Sequence, residues 1–237
     1  YIGKMTVKKS TENKLFFDYL KFLSAKQKSS IPMRNKLEEK GTSKKEKKEI
    51  NQELADIGVA ISNYRSDIIS KNSSLFISTF FIAMNESKIP EFNEVKNDSI
   101  KRLLKYEHYK NHYFDDIDFS DDRINNTPLY HNKIEKFFKS IVYPNPDSVN
   151  KEIDVLIGKA KANDELFKYT TYYLLSHYEK SKIMGMDAVF AHIGLNYYTH
   201  ELAFWSDSIQ IERIQDKARK LSPLLLGKKA INLSLLD

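Results

Sequence analysis

His108 and His112 lie four residues apart, a spacing that sets both imidazoles on one face of a helix, and Asp115, Asp116 and Asp118 follow as oxygen donors. That donor set suits zinc or another borderline metal. It defines one rival function, a metal-dependent hydrolase built on His108, His112 and the nearby aspartates. The glutamate that such sites use as general base normally stands between the histidines, whereas Glu107 here precedes the first. Two histidines near the C-terminal end of a helix are also what the helix dipole favours. This second account asks for less, so no metal and no cofactor are expected.

The other candidates weaken in the same way. Asp115, Asp116, Asp118, Asp121 and Asp122 look like a cation loop, but a calcium loop needs a central glycine and a closing glutamate, and neither is present. Capping acids and an ion pair to Arg123 account for them. Lys36, Lys40, Lys44, Lys45, Lys47 and Lys48 would suit a phosphate backbone, which makes a nucleic-acid adaptor the second rival. No aromatic residues interleave them and no arginine cluster joins them. A solvated helix face is the simpler reading, and no nucleic-acid partner is expected. Met184-Gly185-Met186 stands between two helices, where methionines more often fill gaps in a core than bind a soft metal. No Ser-His-Asp arrangement, phosphate-cradling glycine loop or dinucleotide fingerprint occurs. The 237 residues contain no cysteine, which excludes disulfides, thiol catalysis and thiolate metal sites within them. Residue chemistry alone points to an interaction module rather than an enzyme, and no catalytic residue is assigned.

These side chains need elements to position them. The chain is long enough to bury a substantial core, and 41% hydrophobic with 30% charged residues is a globular composition. Seven Gly and six Pro are too few for a turn-rich β fold. Fourteen Tyr and fourteen Phe supply an aromatic core and several half-buried surfaces. The net charge of +6 is uneven: residues 1–48 hold 14 Lys/Arg against 5 Asp/Glu, and the remainder 24 against 27. The longest apolar run, Leu75 to Met84, is too short to span a bilayer.

Thr11-Glu12 predicts the start of a first helix with Leu15, Phe16, Tyr19, Leu20 and Leu23 as its apolar stripe. Gly41 predicts a break, and Ser43 to Glu46 a capping box for a second helix. Ile50, Leu54, Ile57, Ile61, Tyr64 and Ile68 then step by four and three, so this helix should pack lengthwise on the first. Ser73-Ser74 should cap a third helix to about Met84, before Ile89-Pro90 ends the region. A helix from about Asp98 carries Ile100, Leu103 and Leu104, and residues 112–123 read as a long loop. Thr127-Pro128 is an N-cap with proline at the first helical position. Helices follow near 129–141, 148–162, 164–181, 187–200 and 206–221, the last stopped by Pro223. The expected fold is all-α, an antiparallel helical bundle or stacked helix pairs.

From Leu224 the pattern changes. Ile231, Leu233 and Leu235 alternate with Asn232, Ser234 and Leu236, a strand period. A lone strand needs a sheet to join. With Tyr1 as first residue, both ends look cut from something longer. The expected organisation is an N-terminal helical segment over 1–90, a helical domain over 91–223 and a short strand segment over 224–237.

Several strings fall in an order that carries a resemblance: residues 112–123, Thr127 to Ile134, Pro146 to Asn150, Phe167-Lys168-Tyr169, Ser181 to Phe190, and Leu226 to Ala230. Together they resemble a helical domain of unknown function in bacterial exported proteins that end in a thioredoxin-like, thiol–disulfide oxidoreductase domain. The resemblance covers roughly residues 90–237. Ile231 stands where that family commonly has proline, and Asn125-Asn126 where it has more basic residues. It implies an accessory, non-catalytic scaffold or recognition module, with the thioredoxin-like domain as its partner in cis and a protein substrate as a further partner. It also implies a periplasmic or outer-membrane-associated lipoprotein, the lipid anchor lying outside this chain. The family's redox cysteines have no matching position here. Tyr113, Phe114, Asp118, Phe119 and Arg123 form the candidate interaction loop, with packing of the helices as the alternative role of the same residues.

Overall fold

Helices begin where a side chain satisfies their first free N–H groups. In the computed structural model, which describes residues 7–229, Ser10 accepts a hydrogen bond from the Asn13 amide, so Ser10 caps α1 (Thr11–Glu38) in place of the expected Thr11. Gly41, at φ +117°, turns the chain. The Ser43 box then forms as predicted: the Glu46 amide donates to the Ser43 hydroxyl, and the Ser43 amide donates to the Glu46 carboxylate. Those bonds, with Lys36 at 3.3 Å, hold the Glu46 carboxyl down at about 2. They open α2 (Lys44–Lys71), whose apolar stripe packs along α1.

The third helix, α3 (Phe76–Ala83), departs from expectation. Its N-cap is Leu75 and neither Ser73 nor Ser74 caps it. Its Ile77 amide donates to the Glu12 carboxylate of α1 at 2.7 Å. An acid expected to serve the start of α1 therefore caps a helix far along the chain. Tyr19, Ile68, Ile77 and Phe81 form the buried centre of this three-helix unit, which spans residues 1–86.

Residues 87–237 form the second unit. Here α4 (Asp98–Asn111), α6 (Pro146–Ala160) and α7 (Asp164–Glu179) are each capped by an asparagine, Asn97, Asn145 and Asn163, whose side-chain oxygen accepts two backbone amides. Thr127 caps α5 (Pro128–Lys136) with Pro128 at its first position, as predicted. The helix expected to continue to 141 instead ends in a π-helical turn, Phe137–Ile141, closed by the Val142 amide on the Phe137 carbonyl. Then α8 (Asp187–Asn196) and α9 (Ser208–Leu221) complete the unit, with a short 3₁₀ turn at Ser222–Leu224. Consecutive helices joined by short connections pack on one another, α6 on α7, α7 on α8 and α8 on α9.

The unit's core is aromatic and aliphatic: Tyr130, Ile134, Ile153, Leu166, Leu174 and Ile193 are fully buried. Burying a phenol requires a partner for its hydroxyl. Tyr130 finds Thr170 Oγ1 at 2.6 Å, tying α5 to α7, and Tyr198 donates to Ser206 at 2.9 Å.

The protein is all-helical among the described residues. Of the strand expected over 224–237, residues 224–229 carry none. Leu224 closes the 3₁₀ turn, and the Lys228 amide donates to the Leu225 carbonyl in a tight turn at Gly227, φ +83°. The alternating residues Ile231, Leu233 and Leu235 lie outside the described residues. Among the described residues no helix is long and apolar enough to cross a membrane.

Candidate functional site

The sequence of α7 gives it two unlike faces. Leu166, Thr170, Leu174 and Tyr178 turn inward. Tyr169, Tyr173 and His177 recur every fourth residue, which stacks them along one side of the helix. The rings of Tyr169 and Tyr173 lie 6.2 Å apart and parallel within 3°, and His177 continues the ladder 5.9 Å from Tyr173. From α5, His131 sets its Nδ1 2.8 Å from the Tyr169 hydroxyl and meets the Tyr173 ring edge-on at 4.9 Å. Tyr172, beside the ladder, is 55% exposed.

This ladder lines an open groove of about 620 Å³, within the range of about 300–1,000 Å³ usual for ligand sites. The π turn sends Phe137 and Phe138 into the core and leaves Lys139 at the groove's edge. Pro144, Ile183 and Met186 close the other side. Gly185, at φ +85°, lets the 181–186 connection turn so that Met186 is buried while Met184 stands almost fully exposed.

The electrostatics follow from half-burial. Loss of hydration pushes the Tyr169 phenol up, and the Tyr173 phenol likewise with a further push from Glu135. Desolvation, then the Lys139 ammonium, pushes His177 below its ordinary value against a smaller opposing pull from Glu135. At neutral pH the ladder is therefore uncharged, and its polarity is that of hydroxyls and a neutral imidazole. Lys139, Lys180 and Lys182 are the charged groups of the lining, which contains no carboxylate. A second hollow of about 420 Å³ shares Tyr169 and Tyr172 and is bounded by Trp205, Asn125 and Lys168. Tyr172 thus stands as a ridge between two recesses.

The residues singled out in sequence do not converge. Tyr113 and Phe114 are buried, stacked on and edge to Phe137 at 5.2 and 4.9 Å. Phe119 is half-buried against Phe114 and Tyr130. Asp118 accepts from the Ser120 amide and hydroxyl, and Arg123 holds Asp121 through two nitrogens. The loop is knitted into the helices, with Asp118 and Arg123 at the surface. His108 and His112 do stack, with ring centres 4.2 Å apart, but Nε2 of His108 meets the Lys88 carbonyl and Nδ1 of His112 meets Asp115. No group of three or more His, Asp and Glu able to hold a metal occurs among the described residues. The groove itself was missed in the sequence. Its signal was present in the four-residue recurrence of Tyr169, Tyr173 and His177 ahead of Lys180 and Lys182.

Compared with known proteins, the chain matches one family model, described as a domain of unknown function (DUF5106), over residues 22–221. No curated protein and no solved structure matches it.

Proposed function

The chain belongs to the DUF5106 family of unknown function, and from that premise we propose that it is a non-catalytic recognition module that binds polypeptide segments through the groove along α7. The observation that carries this reading is the half-buried, uncharged aromatic ladder lining an open groove, with exposed Tyr172 beside it and lysines at its rim. Tyrosine offers large contact area at little conformational cost, and its hydroxyl accepts and donates to a passing backbone.

In this reading the parent protein is an exported thiol–disulfide oxidoreductase whose thioredoxin-like domain follows the module. The resemblance of the strings between residues 112 and 230 supports that placement. The chain contributes no thiol, having no cysteine, so its part is to hold a client near the dithiol. A periplasmic or outer-membrane-associated location goes with the same reading.

The test compares the parent protein with and without this module on two substrates, insulin and a small disulfide such as oxidised glutathione. Removing the module should lower kcat/KM for insulin through KM and leave the small disulfide unaffected. The module alone should reduce neither. Reduction of insulin by the isolated chain, or an unchanged KM without it, would overturn the reading.

A further inference from the structure

We infer that the segment bound in the groove along α7 is acidic, an inference that rests on the recognition reading above and adds the chemistry of the ligand. The argument is charge complementarity. The groove's lining holds Lys139, Lys180 and Lys182 and no Asp or Glu. Lys139 is already paired with Glu135 at 2.6 Å. Lys180 and Lys182 are exposed and form no ion pair among the described residues. The nearest chain neighbour of opposite sign, Glu179, is committed to Lys217 at 2.8 Å. Two uncompensated cations thus flank an apolar floor, and a carboxylate crossing that rim gains attraction without displacing an existing partner.

The same charges choose between kinds of anion. A single strand of nucleic acid would also stack on Tyr172, but it needs a cationic field along many phosphates. The unit that carries the groove, residues 87–237, has 22 Lys/Arg and 22 Asp/Glu and is neutral overall. A unit without net charge draws a polyanion weakly, whereas two unpaired lysines at the groove suit a short acidic stretch. A small free anion would need convergent donors in an enclosed site. Lys180 and Lys182 instead stand on the edge of an open groove, whose Tyr172 and Ile183 are 55% and 62% exposed and offer apolar contact along its length. A polypeptide with Asp or Glu beside apolar or aromatic residues meets both demands.

Selection from a random twelve-residue phage-displayed peptide library on the full chain tests this. The recovered sequences should be enriched in Asp and Glu over the starting library. A fluorescein-labelled recovered peptide should bind the K180E/K182E protein about tenfold more weakly and lose affinity in Tyr172→Ala, and circular dichroism should show both variants folded. Sequences without acidic enrichment, or equal affinity for K180E/K182E, would overturn the inference. If such neutral peptides still lose binding in Tyr172→Ala, the acidic preference fails and the recognition reading stands. If nothing is recovered above a protein-free control, both fail. Displacement of the peptide by a twenty-residue oligothymidylate at moderate salt would assign the groove to nucleic acid and overturn the inference as well.

Discussion

Glu12 reaches a helix 65 residues further along the chain, placing its carboxylate 2.7 Å from the Ile77 amide at the start of α3, whose own N-cap, Leu75, supplies no side-chain bond. Anionic caps are charge-assisted and sit at the positive end of a helix. Glu12→Ala should therefore destabilise the α1–α3 unit by about 1 kcal/mol, read as a lower urea midpoint in circular dichroism. Glu12→Gln, which keeps an acceptor oxygen, should lose less. At the groove, burial and Lys139 disfavour the charged form of His177 while Glu135 favours it, and the Tyr173 and Tyr178 rings cover it. A histidine held neutral binds fewer protons folded than unfolded. Its contribution is thus complete above the unfolded value of about 6.5 and is lost as pH falls through the lower folded value. The hydrogen bond from Lys139 holds the neighbouring Glu135 carboxyl below its ordinary range, so it stays ionised through that window. Stability should fall between pH 7 and 5, and His177→Gln should flatten the decline in denaturation midpoint. Short-range caps such as Ser43 with Glu46, and Thr127 with the Leu129 amide just past Pro128, could be read in the sequence because donor and acceptor lie within three residues. Glu12 could not, since its partner amide is chosen by the tertiary fold.

Helix pairs show the same limit. Gly194 in α8 and Gly158 in α6 look alike in sequence, as helix-interior glycines. A Cβ on Gly194 would meet the Ala218 Cβ at 3.1 Å and Ile214 Cγ2 at 3.4 Å, whereas one on Gly158 or on Gly58 of α2 would meet nothing within 4 Å. The Ala218 Cβ cannot swing aside, so α8 and α9 would have to separate. The close approach is used by Gln215, whose side-chain amide donates to the Gly194 and Tyr198 carbonyls. Gly58→Ala and Gly158→Ala should each stabilise by up to about 1 kcal/mol through helix propensity. Gly194→Ala should lose that gain to overpacking and come out destabilised by about 1 kcal/mol. Thermal melts of the three variants would check the ordering, and a stabilised Gly194→Ala would show that the α8–α9 contact is looser than it looks. The all-helical fold was legible because 3.6-residue periodicity is local. The π turn at 137–141 was not, because α-helical and π-helical spacing differ by one residue and only packing selects between them. That turn sets Lys139 at the groove, so the element that was hardest to read helps to build the site.

At the scale of the whole molecule, the two units differ in how much they bury. The first has four buried apolar residues at its centre, Tyr19, Ile68, Ile77 and Phe81, with half-buried neighbours around them. Most of the second unit's helices contribute fully buried side chains. Stability follows the apolar area withdrawn from water, so the first unit should open at lower denaturant than the second. The protein provides two reporters that separate them. The single Trp, Trp205, packs against Phe167, Tyr198 and Phe204 in the second unit and is silent on the first. Far-ultraviolet ellipticity reports both, and α1, α2 and α3 of the first unit hold 28, 28 and 8 residues, nearly half of the helix. In a urea titration, ellipticity should fall substantially before Trp205 emission changes, giving two non-coincident transitions. Glu12→Ala should move the early one alone. Gly194→Ala should move the late one alone. Coincident curves, shifted together by either substitution, would show instead that the two units fold as one cooperative body. The groove along α7 should survive the first transition, so peptide binding should persist in the urea range where α1–α3 has already melted.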